Sequence, residues 1–273
     1  MEFINPAYQE LLARHRLLDF NAFWSLPEDW YEEPNNRRRG WSGVSIHRLP
    51  LAEEALALFV KRQENHNFRS PTHPGGRPTF YKEFRQLLAL KQRQITTPPL
   101  VYYGERRRHG RRQAVLATIA LAGYCSLDAW LADKSIPAGE KSDRLEKIGR
   151  QIRKLHDHRF QHRALYGKHL LVNRELPADA GGLAFIDLEK TRRWPLMTAR
   201  LRASDLAQLL RHSPALSGGF DRDLLRGYCH DRPPWEEKLL VRIEERLARK
   251  NRRRPPGEGS TAGQDAATPK APG

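Results

Sequence analysis

Up to about residue 120, apolar side chains come in short extended runs. Residues 45–49 and 56–61 read as two strands joined by a turn of proline and acid. Residues 100–103 and 114–119 read as two more, with the basic stretch 104–112 between them as a hairpin loop. One helix interrupts this pattern. It starts near Thr79, after Pro78, and sets Phe80, Phe84, Leu87 and Leu88 on one face. Beyond residue 120 the period changes from two to about three and a half. Ser126 is placed to cap a short helix through Trp130 and Leu131, and Ser142 a longer one carrying Leu145, Ile148, Ile152 and Leu155. That helix closes near His156-Asp157-His158. A compact segment follows at 161–172, then an apolar strand at 183–186 that runs into Asp187. Further helices are expected at 204–211 and 235–249, the last with a stripe of Trp235, Leu239, Ile243 and Leu247.

Strands, one helix, strands, then a helical half with a small strand-and-loop insert is the order of a protein-kinase-like bilobal fold of the α+β class. The expected division is a strand-rich N-lobe at 1–120 and a helical C-lobe at 121–249. Residues 250–273 hold no large apolar side chain and read as a disordered tail rich in proline and glycine.

Composition narrows the setting. The longest apolar stretch, residues 114–122, is far short of a membrane span. The first residues lack a basic segment followed by an apolar one, and two cysteines, Cys125 and Cys229, make neither a disulfide framework nor a metal motif. A cytosolic, reduced setting is expected. The formal net charge of +16 favours a polyanionic contact: nucleic acid, an anionic membrane face or a phosphorylated substrate. Arginine runs at 37–39, 106–108, 111–112 and 252–254 would suit nucleic acid. No helix-turn-helix, zinc-finger or RNA-recognition pattern accompanies them, which places that reading last.

The chemistry the pattern can support is phosphoryl transfer from ATP. It needs a lysine on the phosphates, a helix glutamate holding that lysine, an aspartate for Mg²⁺ and a loop that positions the acceptor hydroxyl. Lys61 ends its strand in the right order, though a solvated strand-end lysine would look the same, with Arg62 beside it. Glu83 borders the buried face of the following helix; the alternative is a rim residue paired with Lys82 or Arg85. Asp187, at the end of an apolar strand, is the candidate metal carboxylate, against a turn or cap aspartate; Glu189 would share its side if the strand continued. His162-Arg163-Ala164 and, five residues on, His169 stand where kinases carry His-Arg-Asp, four residues, then Asn. The plainer alternative is a surface loop rich in His and Arg. Gly40 and Gly43 are candidates for a nucleotide-binding turn before the second strand, without a full glycine-rich motif.

These residues resemble a known family, the bacterial lipopolysaccharide kinases (the Kdo/WaaP group), and especially its InaA-like branch. The resemblance rests on His156-Asp157, on His162-Arg163-Ala164-Leu165-Tyr166-Gly167-Lys168-His169 followed by aliphatics, and on Ile186-Asp187-Leu188-Glu189-Lys190. Ser204-Asp205-Leu206 resembles the family's next helix, whose aspartate braces the catalytic loop. It covers about residues 30–245. It implies an ATP- and Mg²⁺-dependent kinase acting on a heptose or Kdo hydroxyl of the lipopolysaccharide inner core. The partner would be the core or its lipid A-core precursor, met at the anionic cytoplasmic face of the inner membrane as a peripheral protein. The catalytic set it implies is Lys61, Glu83, His162, His169 and Asp187. His169 stands in the Asn place, and imidazole is a poor Mg²⁺ ligand, so orienting phosphate or Asp187 is its expected task. The departure is Ala164, where the family carries its catalytic aspartate. A slow kinase, one using Asp157, His162 or Glu189 instead, and a pseudokinase that binds or regulates are the readings this leaves.

Overall fold

The computed structural model describes residues 1–37, 40–50, 55–230 and 233–252. The tail at 253–273 lies outside them, as do Arg38, Arg39, Arg253 and Arg254 of the arginine runs. The chain forms two compact units: Met1–Ala122 with Leu188–Lys190, and Gly123–Asp187 with the rest.

In the first unit the chain runs β1 (Glu2–Ile4), α1 (Gln9–Arg14), α2 (Phe20–Trp24), β2 (Trp30–Arg37), β3 (Gly40–Leu49), β4 (Leu56–Glu64), β5 (Asn67–Ser70), β6 (His73–Pro78), α3 (Phe80–Lys91), β7 (Leu100–Arg108) and β8 (Arg111–Ile119). Six strands make one antiparallel sheet, in the order β1-β7-β8-β4-β3-β2, and β5–β6 is a separate hairpin. Alternation along β4 divides its side chains between two faces. Leu58 and Val60 join Leu12, Phe20 and Phe23 of the N-terminal helices, and Leu17 between them, in one core. Lys61 and Gln63 leave from the other face. Gln63 Oε1 accepts from the Phe80 amide and the Thr79 hydroxyl, both at 3.0 Å, and so fixes the start of α3.

Several expectations for this unit change. The 104–112 stretch is strand almost throughout. Its turn is only His109-Gly110, both at positive φ (48° and 76°), the backbone of a tight two-residue hairpin. Gly40 and Gly43 lie inside β3, not in a loop before it. A Cβ on Gly43 would come 2.6 Å from the Trp30 ring, and one on Gly40 would overlap the Glu64 carbonyl, so the packing of β3 requires a glycine at both positions. Arg62 is not ordinary surface charge. It is buried, and its guanidinium donates to the carbonyls of Trp24 (3.1 Å), Leu26 (2.7 Å) and Pro27 (3.2 Å), closing the end of α2. Leu88 is only partly buried, and Leu90 completes the α3 stripe instead.

The second unit holds β9 (Tyr124–Ser126), α4 (Leu127–Ala132), α5 (Ala138–Asp157), β10 (Phe160–Gln161), β11 (Leu170–Asn173), β12 (Leu183–Phe185), β13 (Arg192–Arg193), α6 (Ala199–His212), α7 (Phe220–Cys229) and α8 (Pro233–Arg252). Ser126 caps α4 as expected, its Oγ accepting from the Ala129 amide at 3.1 Å. Ser142 caps nothing. α5 starts a turn earlier at Pro137, whose carbonyl accepts from the Lys141 amide, while Lys141 Nζ donates to Leu131 O and Asp133 O at 2.7 Å each, at the C-terminal end of α4. Leu145, Ile148, Ile152 and Leu155 form the predicted buried stripe. α5 and α7 pack backbone to backbone: a Cβ on Gly149 would overlap the Leu224 carbonyl, and one on Gly227 that of Glu146. α6 starts at Ala199 under a Thr198 cap, and α8 reaches Arg252, not residue 249. Leu239 and Ile243 are buried and Leu247 partly so. Among the described residues no helix is long and apolar enough to cross a membrane.

Candidate active site

The first unit brings Lys61 and Glu83 together. Lys61 leaves β4 on the α3 side, and Glu83 lies one turn into the helix that Gln63 anchors. Lys61 Nζ donates to both carboxylate oxygens, at 2.8 and 3.0 Å. The glutamate is 5% exposed, so it is not a rim residue. A lysine held this way is fixed in place and keeps its charge directed, as a phosphate-binding lysine must be.

The second unit assembles His162, His169 and Asp187. Register does this: Leu170 pairs with Phe185 across β11–β12, so His169 and Ile186 face each other just outside the ladder, and the Ile186 amide donates to His169 O at 3.1 Å. β12 ends at Phe185, and Asp187 takes a left-handed backbone (φ 56°). A carbonyl only accepts, so His169 Nδ1 donates to Ala164 O at 2.8 Å. That turns Nε2 toward Asp187 Oδ2, 3.5 Å away. His162 likewise donates from Nε2 to Ile186 O at 3.0 Å. Its ring is fully buried, burial lowers its pKa, and Nδ1 has no partner among the described residues. His162 therefore braces the loop from beneath. Glu189 does not extend a strand beside Asp187. It lies in a one-turn helix, Leu188–Lys190, that packs on α3 within the first unit.

The loop's backbone is set by Asp205 of α6, a fully buried carboxylate. It accepts from the His162 amide at 2.6 Å, the Arg163 amide at 2.9 Å and His156 Nε2 at 3.2 Å. His156 Nδ1 in turn meets the Tyr228 hydroxyl at 2.7 Å. Burial lowers the His156 pKa, which keeps the ring neutral with Nε2 as donor. Asp157 points elsewhere: burial alone would raise its pKa, but hydrogen bonds from Arg153 and Arg202 outweigh that and hold it low. Three residues of this framework carry no sequence signal that separates them from ordinary helix positions. Arg202 and Tyr228 close the network behind His156. Asp128 of α4 packs against Gly167 beside the Ser213 hydroxyl, and burial raises its pKa.

The donor set suits Mg²⁺ held mainly by phosphate and water. Asp187 is 41% exposed and offers hard oxygen, and no group of three or more His, Cys, Asp or Glu among the described residues forms a cage.

Residues 21–228 match the model of the lipopolysaccharide kinase (Kdo/WaaP) family. The chain belongs to that family. Protein InaA of Escherichia coli (strain K12) is 34% identical over 178 residues, spanning 64% of this chain and 79% of InaA. The solved structure of WaaP in complex with acyl carrier protein matches with a TM-score of 0.62 at 22% identity, over 91% of this chain and 98% of that one. The fold of this lipopolysaccharide kinase family member is protein-kinase-like, and family membership supports a kinase-type phosphotransferase. The resemblance read from the 156–190 motifs is borne out.

Proposed function

We propose that this protein is an ATP- and Mg²⁺-dependent kinase that phosphorylates a heptose or Kdo hydroxyl of the lipopolysaccharide inner core. The observation that carries the reading is the two-oxygen clasp of Glu83 on Lys61. A buried carboxylate that grips a strand-end lysine with both oxygens fixes the direction of its charge, which supports a phosphate-binding role. In this reading Lys61 holds the α- and β-phosphates. Asp187 supplies the carboxylate for Mg²⁺. His169, fixed at Nδ1, presents Nε2 to Asp187 or to phosphate. Mg²⁺, when bound, neutralises charge on the phosphate oxygens. The +16 charge supports work at the anionic inner-membrane face on a lipid A-core precursor.

Ala164 favours a second reading. Its side chain is fully buried and offers no proton acceptor. Because the transition state is loose, a missing base removes about 10²–10⁴-fold and not the whole rate. A pseudokinase would bind nucleotide and transfer nothing. Incubation of the protein with γ-labelled ATP and purified core glycolipid separates the two. Slow, Asp187-dependent labelling of the glycolipid is expected. Nucleotide binding with no labelled product would establish the pseudokinase instead.

A further inference from the structure

The strip that follows the candidate metal aspartate is tied to the catalytic loop. β13 pairs with β10, Phe160 with Arg193 and Gln161 with Arg192, directly before His162. The Trp194 amide donates to Arg159 O at 2.9 Å, Trp194 Nε1 donates to Gln161 Oε1 at 3.0 Å, and the Thr191 hydroxyl donates to His162 O at 3.4 Å. A segment with this many bonds to the loop has a fixed surface, and that surface has unusual chemistry. Arg192 is exposed, its guanidinium 4.2 Å from the Trp194 ring centre. Arg163 is exposed on a left-handed backbone (φ 64°) whose amide Asp205 holds. No carboxylate among the described residues forms an ion pair with either. Leu196, two residues past Trp194 at the far end of the strip from Arg163, is 70% exposed, more than any other large apolar side chain among the described residues.

Unpaired guanidinium groups suit phosphate, whose oxygens they meet two at a time, and stacking on an indole holds one of them ready. An exposed leucine further along the same strip, past the indole, suits the apolar body of a ligand long enough to span it. Resting on the phosphotransferase reading, we propose that Arg163, Arg192, Trp194 and Leu196 form the acceptor site, and that they take an anionic amphiphile: a glycolipid bearing phosphate. The guanidinium groups hold that existing phosphate and Leu196 lies against the acyl region. Anchorage to the catalytic loop favours the acceptor itself over the bulk leaflet, because a leaflet contact has no need to be bonded to His162 and Gln161.

The test measures binding, by thermophoresis of the full chain, to a Kdo–lipid A glycolipid in neutral-detergent micelles, before and after phosphatase treatment, and to phosphatidylglycerol vesicles. The double variant R163Q/R192Q is expected to lose about ten- to a hundredfold in affinity for the phosphorylated glycolipid, the scale of one or two charge-assisted hydrogen bonds. Wild type and variant should bind the dephosphorylated glycolipid equally. Leu196→Ser should weaken both glycolipids about tenfold. All three side chains are exposed, so melting temperatures should match the wild type. Wild-type protein that does not bind the glycolipid overturns the proposal. So does equal affinity in wild type and double variant, or a loss as large on phosphatidylglycerol vesicles as on glycolipid. Titration of the same proteins with Mg²⁺-ATP keeps the two readings apart: absent nucleotide binding in the wild type defeats the kinase reading, whatever the strip does.

Discussion

Replacing Asp205 should cost more stability than almost any other single change in the second unit. Its carboxylate is fully buried and accepts three hydrogen bonds, from the His162 and Arg163 amides and from His156. In Asp205→Ala all three donors lose their acceptor. An unsatisfied buried donor costs about 1–3 kcal/mol, so roughly 3–6 kcal/mol is expected once partial hydration of the half-buried Arg163 amide is allowed for. A typical domain has only about 5–15 kcal/mol in total, so this variant stands close to unfolding. Asp205→Asn keeps one acceptor oxygen but turns an N–H toward donors that need an acceptor. About 1–3 kcal/mol is expected for it, which leaves a measurable folded protein. Urea unfolding gives the midpoints, and hydrogen exchange reads the His162 and Arg163 amides individually. In Asp205→Asn at least one of those two amides should exchange faster by more than the global loss explains. An Asp205→Ala loss below about 1 kcal/mol, with both amides still protected, would refute the claim that this carboxylate sets the loop.

Other outcomes follow from the same geometry. Arg62→Met should lower stability by about 2–4 kcal/mol, because three carbonyls at the end of α2 lose their donor; urea midpoints check it. Gly227→Ala should push α7 off α5 and cost about 2–4 kcal/mol, with a parallel loss in Gly149→Ala, seen as a fall in melting temperature. His156 and His162 have folded pKa values below the ordinary 6.5, so the unfolded chain binds more protons as pH falls past that value. Stability should therefore be full above about pH 6.5 and decline below it, by at most about 1.4 kcal/mol per pH unit for each histidine. Unfolding midpoints from pH 7.5 to 5 test this, and a flat profile would show that these rings are not buried neutral.

Much of the site was legible because its chemistry is carried by position within an element. Lys61 follows Val60 along an alternating strand, so its direction is set once the strand is recognised, and Glu83 borders a helical stripe whose burial the period gives. Asp187 announces itself by ending an apolar strand, although the strand stops at Phe185 and a left-handed backbone completes the approach. What stayed hidden depends on tertiary partners. Arg62 reads as surface charge until α2 supplies carbonyls for it. α1 and α2 are too short to show a period, and only the sheet beneath them makes Leu12, Phe20 and Phe23 core. Gly40 and Gly43 resemble a turn, but their missing side chains answer to Trp30 and to the Glu64 backbone. Ser142 has the chemistry of a cap, yet Pro137 and the Lys141 contacts start α5 a turn before it. Local composition cannot distinguish such cases, because the deciding atoms come from elsewhere in the chain.

Calorimetric titration of Mg²⁺-ATP into wild type, Lys61→Ala and Asp187→Ala tests the central claim most directly. Wild type should bind only with both components present, and each variant should lose about tenfold or more, the scale of one charge-assisted contact to phosphate or metal. Unchanged affinity in both variants would contradict the assignment of these two side chains to a bound nucleotide.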